Sequence, residues 1–186
     1  LMLVNWKVLS CKETPNDKQP PDYRVEGEPY WFYRYFNQKD DVDIIDISSV
    51  SWLENFEREK LRFYVLQALK AIPKLHKYDL IVSHGMQSAV VVCLYRRFFR
   101  GKEKHIVFDI GSFNSAAGSG SALKLMQFAS RSIDGLIYHT SAQHAYYEKF
   151  FPWLVEKSQF VRFGTDGVFW KKETDSKEEI KDAAAV

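Results

Sequence analysis

Short apolar runs alternate with amphipathic stretches along most of the chain. Leu3–Leu9, Val42–Ile47, Leu80–Ser83, His105–Ile110, Gly135–His139 and Gln159–Phe163 are rich in β-branched and apolar residues at successive positions. Strands buried on both faces read this way, because neither side of the pleat meets water. The stretches between them predict helices. Trp52–Lys77 sets Phe56, Leu61, Tyr64, Val65, Leu69, Ile72 and Leu75 along one stripe of a long amphipathic helix, with Pro73 near its last turn. Pro29–Gln38, Met86–Phe99, Ala122–Ser132 and Ala142–Phe150 read as shorter helices.

Strand–helix–strand alternation predicts an α/β fold: a three-layer α/β/α, Rossmann-like domain with a mostly parallel sheet of about six strands. Right-handed crossovers leave few topologies for it. Two stretches interrupt the rhythm. Ser10–Glu28 is polar and proline-bearing and reads as a loop after the first strand, and Ser115–Ala122 reads as a flexible linker.

Composition narrows the class. A length of 186 residues suits one domain, and 46% hydrophobic with 27% charged residues excludes a disordered chain. The formal charge of +2 gives no reason to expect nucleic acid as a partner. Two distant cysteines, Cys11 and Cys93, match no metal spacing and no disulfide framework. The longest uncharged run, Leu80–Tyr95, is interrupted by Ser83, His84, Gly85 and Gln87 and falls short of the roughly 20 apolar residues of a membrane span. The first residues have no basic lead. A soluble, cytoplasmic chain is expected. Tyr95–Lys102 combines aromatic and basic residues, so Arg96, Arg97, Phe98, Phe99 and Arg100 are candidates for a peripheral contact with anionic lipid. The same cations also suit a helix C-terminus with no partner at all.

In parallel sheets, ligands sit beyond the carboxyl ends of the strands. Small and polar residues gather there: His84-Gly85-Met86-Gln87, Asp109-Ile110-Gly111-Ser112, Thr140-Ser141 and Gly164-Thr165-Asp166. His84 and Asp109 are the candidates for chemistry, since neither is a routine turn residue and a buried carboxylate needs a partner. Several sharper patterns are missing. There is no G-x-G-x-x-G after the first strand, no Walker loop and no G-x-S-x-G elbow. Asp41-Val42-Asp43 belongs to an acidic turn, and His139 with His144 lacks a third ligand. Neither a metal nor a cofactor is expected.

Taken in order, these edges resemble the N-terminal, acceptor-side Rossmann-like domain of the GT-B retaining-type glycosyltransferases (glycosyl transferases group 1, family 4-like). The resemblance rests on Pro20-Pro21-Asp22 with Val25-Glu26-Gly27-Glu28, on Asp79-Leu80-Ile81-Val82-Ser83-His84-Gly85, on Phe108-Asp109-Ile110-Gly111, on Asp134–Ser141 with Tyr146-Tyr147, and on Phe160–Phe169. It implies catalytic roles for Asp109 and His84. It also implies substrate contacts from Gly27, Glu28, Gly85, Gln87, Gly111, Ser112, Thr140 and Asp166. Two departures stand out: the first loop has one glycine where the family often has two, and Asp109 stands where many members carry a histidine. On this reading residues 1–170 form the domain, and residues 171–186 form a charged tail or the start of an interdomain linker. The partners are a nucleotide-sugar donor, an acceptor, and a donor-gripping second domain in cis or on another chain. A doubly wound phosphate- or nucleotide-binding module without enzymatic activity, and a small hydrolase, are the alternatives.

Overall fold

The structure is a computed structural model that describes residues 1–33, 42–61, 63–99, 101–110 and 119–162. In chain order its elements are β1 (Met2–Leu3), β2 (Leu9–Cys11), β3 (Tyr23–Val25), β4 (Ile44–Ile45), α1 (Ser51–Phe56), α2 (Val65–Ala71), β5 (Leu80–His84), α3 (Met86–Phe98), β6 (Lys104–Asp109), α4 (Ser121–Ser130), β7 (Gly135–Tyr138), α5 (Ser141–Phe150), α6 (Pro152–Val155) and β8 (Ser158–Phe160). Six strands form one sheet in the order β4-β1-β5-β6-β7-β8, and every neighbouring pair is parallel. This is the α/β, Rossmann-like architecture that the alternating pattern predicts. β2 and β3 pair with each other outside it.

Chain direction decides which face each connection covers. From β5 onward the chain steps steadily toward β8, so right-handed crossovers put α3, α4 and α5 on one face. There Met86, Ala89, Val90 and Cys93 of α3 meet Val107, Leu136, Tyr138, Met126, Tyr147 and Phe151 in one buried cluster. α2 joins the same face, where Ala68 and Ala71 pack with Leu3, Ile81 and Val92. Fully burying a side chain such as Ile81 or Leu136 contributes about 1.5–3 kcal/mol. The step from β1 to β4 runs the other way and crosses the opposite face. Tyr30, with Trp6, Phe32 and Tyr33, covers Met2, Val4 and Val82 there. β1 therefore has neighbours reached in opposite directions, and the switch point of the sheet lies between β1 and β5.

Each strand run is found in the sheet, but three expectations change. Trp52–Lys77 is not one helix. It divides into α1, a π-helical turn at Glu57–Leu61, α2, and a 3-10 stretch at Ile72–Lys77. Tertiary hydrogen bonds set the break: Leu66 N–H donates to Glu57 Oε1 (2.8 Å) and Tyr64 N–H to the Gln87 carbonyl (3.1 Å). Pro29–Gln38 shows a 3-10 turn at Trp31–Tyr33, and residues 34–38 lie outside the described residues. Ser10–Glu28 is not all loop, since it holds most of β2 and all of β3.

Arg96 leaves the expected surface patch. It is 1% exposed and lies inside the domain, its guanidinium against Glu103 Oε1 (3.3 Å), Asp134 Oδ2 (3.0 Å) and the carbonyls of Ser132 (2.7 Å) and Glu103 (2.6 Å). A buried guanidinium is tolerable only with such partners, and these tie α3 to the starts of β6 and β7. Arg97, Phe98 and Phe99 are exposed, and Arg100 lies outside the described residues. Among the described residues no helix is long and apolar enough to cross a membrane.

Candidate functional site

The carboxyl ends of β1 and β5 frame the switch point, and His84 closes β5 there. Its ring is 3% exposed. Phe108 of β6, its register partner, stacks on it (centroids 5.4 Å apart, planes at 4°). Trp6, just beyond β1, meets it edge-on at 4.9 Å, and Phe32 lies at 5.0 Å. Burial among aromatic rings disfavours the charged imidazolium, and His139 adds a smaller push in the same direction. Together they lower the His84 pKa to about 4. The imidazole is therefore neutral near pH 7. Its Nδ1 is buried and has no hydrogen-bond partner among the described residues. Buried polar nitrogens are nearly always paired, so this one is the exception that asks for a ligand.

Trp6 is held in place by the loop after β1. Its indole N–H lies 3.1 Å from the Tyr30 hydroxyl and 3.3 Å from the Pro21 carbonyl, to which Tyr30 donates at 2.7 Å. The Pro20-Pro21 peptide bond is cis. Beside Trp6 opens a cavity of about 460 Å³ lined by Lys7, Val8, Leu9, Lys18, Asp22 and Ser48. Lys7 is paired with Glu54 at 2.9 Å. Asp46 organises the far wall, its carboxylate accepting from Val8 N–H (2.9 Å) and from the Ser48 hydroxyl (2.6 Å).

Gly85 follows His84 with φ of 77° and ψ of 160°, a region that L side chains rarely adopt, and it precedes α3. Its N–H donates to the Phe108 carbonyl (2.6 Å), which locks the β5–α3 turn to β6. Gln87 is half-buried in the first turn of α3. Ser88, one residue on, is fully buried, and its hydroxyl has no partner among the described residues.

Asp109 does not join His84. Paired residues of parallel strands point to the same face, so Phe108 shares the face of His84 and Asp109 points to the other. There Asp109 is fully buried, and its carboxylate accepts from Gln143 Nε2 (3.0 Å) and from the Tyr147 hydroxyl. Burial and the neighbouring carboxylate both raise the Tyr147 pKa, so that phenol stays a donor. Gln143 Nε2 also reaches the Asp109 carbonyl (2.8 Å). The geometry gives Asp109 a bracing role between β6 and α5.

Thr140 is likewise engaged, because its hydroxyl and Gln143 form a capping box at the start of α5. Gly27 and Glu28 are exposed in the turn after β3, where Gly27 has φ of 80°. A helix opening directly at Gly27 is not present, since only the three-residue turn at Trp31–Tyr33 follows. Gly111, Ser112 and Asp166 lie outside the described residues, as do Asp41 and the Gly164–Phe169 element.

The sequence reading overlooked Trp6, Tyr30, Phe32 and Lys18. Trp6 was within reach of the strand-end rule, because it directly follows the first strand. The other three are drawn in by folding of the β1–β4 connection and have no local signature. Among the described residues no group of three His, Cys, Asp or Glu side chains could hold a metal ion. No protein-family model and no curated protein matches the chain.

Proposed function

We propose that the chain is the acceptor-side half of a glycosyltransferase, moving a sugar from a nucleotide-sugar donor to a hydroxyl acceptor. One observation carries this reading. A neutral, buried histidine with an unpartnered Nδ1 stands at the switch point of a parallel sheet, beside an aromatic wall and an open cavity. Sugar transfer needs the acceptor hydroxyl held at the anomeric carbon, away from water. With Nδ1 unprotonated, His84 accepts the hydrogen bond of that hydroxyl. A pKa near 4 makes it a weak base, so it orients the hydroxyl while the new C–O bond forms and the diphosphate oxygen departs. Trp6 and Phe32 supply apolar surface for a sugar-like or aglycone face.

Groups that neutralise the leaving diphosphate belong to a second wall of the cleft, supplied in cis or by a partner chain. The 186-residue chain is therefore expected to show no transferase turnover alone and to bind nucleotide-sugars weakly. Calorimetric titration with a panel of nucleotide-sugars tests this directly. Micromolar binding, or product formed by this chain unaided, overturns the two-wall reading. The Lys18-lined cavity favours one second reading, a phosphate- or nucleotide-binding module. Tight binding of a plain nucleotide, undiminished by His84→Phe, would select it.

A further inference from the structure

The helix-bearing face ends in an unexpected surface. α3 and α4 both start at the carboxyl edge of the sheet and finish at its amino edge, because each returns the chain to the start of the next parallel strand. At that amino edge Phe98 and Phe99 are 70% and 65% exposed, and Phe128 of α4 is 41% exposed. Phe98 and Phe128 lie 6.0 Å apart, and the Arg97 guanidinium sits over the Phe128 ring at 4.9 Å. Arg131, at the end of α4, and Lys102, just before β6, are exposed beside them. The carboxylates closest in sequence to this end, Glu103 and Asp134, are turned inward onto Arg96.

We infer that this amino-edge surface docks on an anionic lipid bilayer. Three phenylalanine rings in water gain by entering the headgroup boundary, and exposed cations around them gain from anionic lipid at the same depth. Cations alone would suit any polyanion, but adjacent rings projecting from a helix end suit an apolar layer. A second copy of the chain would set like charges against like. A domain closing over the switch point leaves this end free, since it lies at the opposite edge of the sheet. The cleft then points away from the bilayer, so docking places the chain at the membrane without feeding lipid into the site.

Co-sedimentation of the full chain with phosphatidylglycerol–phosphatidylcholine vesicles at low salt, against pure phosphatidylcholine vesicles, tests the inference. Binding is expected to the anionic vesicles only and to weaken as salt rises. Each of Arg97→Gln and Arg131→Gln removes one cation and is expected to lower it roughly fivefold. Phe98→Ser with Phe99→Ser is expected to abolish it while the thermal melt stays unchanged, since both rings are in water. Lys12→Gln, in the loop after β2, serves as the control and leaves binding intact. Binding equal on neutral vesicles, no binding to either, or retention only on a heparin column would each overturn the inference.

Discussion

His84 and His105 sit on adjacent strands, both almost wholly buried, and burial drives both pKa values down, to about 4 and about 3. Their surroundings differ in one respect. His105 Nε2 lies 2.8 Å from the Ser83 hydroxyl and its Nδ1 3.6 Å from Cys93 Sγ, so both ring nitrogens are occupied. Cys93 is itself buried, its thiol pushed up to about 12, and is inert at neutral pH. His84 keeps Nδ1 unpartnered among the described residues and is wrapped in rings instead of dipoles. A depressed pKa reports burial in both cases. The difference between core residue and site candidate is whether the ring's hydrogen-bonding capacity is already spent.

The sharpest way to break this contrast is to replace each ring by an isosteric apolar one. His105→Phe leaves the Ser83 hydroxyl without its partner in a fully buried place, and is expected to cost about 2–3 kcal/mol in urea unfolding. A loss below about 0.5 kcal/mol would mean that the His105 bonds hold nothing together.

A middle-sized effect concerns pH. Both histidines are neutral in the folded chain down to about pH 4 and 3, whereas the unfolded chain protonates them near 6.5. The unfolded state therefore binds more protons as pH falls below 6.5, and folding stability falls with it. Each group contributes a slope of about 1.4 kcal/mol per pH unit between its two pKa values. The stabilisation is complete above about pH 6.5 and exhausted once pH has passed through the folded values. Denaturant unfolding at pH 7, 6 and 5 measures it, and His84→Phe should remove about half of the two-histidine slope. An unchanged slope would show that His84 is solvated.

The smallest expected effect is on stability at neutral pH in His84→Phe. No hydrogen bond from Nδ1 is lost and an aromatic shape is kept, so unfolding should shift by less than about 1 kcal/mol. A large destabilisation would place His84 with His105 among the structural residues and remove it from the site.

Much of the fold was legible because parallel strands covered on both sides are continuous apolar runs, and Leu80–Ser83 or His105–Ile110 can hardly be anything else. His84 was legible too, since its place directly after such a run puts it at the carboxyl edge whatever the helices do. Three features were not. The break before α2 depends on Glu57 reaching Leu66 and on Gln87 receiving Tyr64, which periodicity does not encode. Arg96 read as surface within a basic run, yet its partner Asp134 is 38 residues away. Asp109 read as chemistry because its acceptor capacity is filled by Gln143 and Tyr147, from a helix 34 and 38 residues further on.

Gln143 carries a last consequence. One amide accepts from the backbone N–H groups of His139 and Thr140 and donates to both oxygen types of Asp109, so it stitches the ends of β6 and β7 to the first turn of α5. That half of the sheet edge is sealed by the chain's own polar groups, and the half at β1 and β5 is left open. Stability and recognition are thereby lodged in different strands. Descendants of this sequence can exchange Trp6, Phe32 or Lys18 to accept new molecules without loosening the seal, which makes the open half the natural ground for diversification and for redesign.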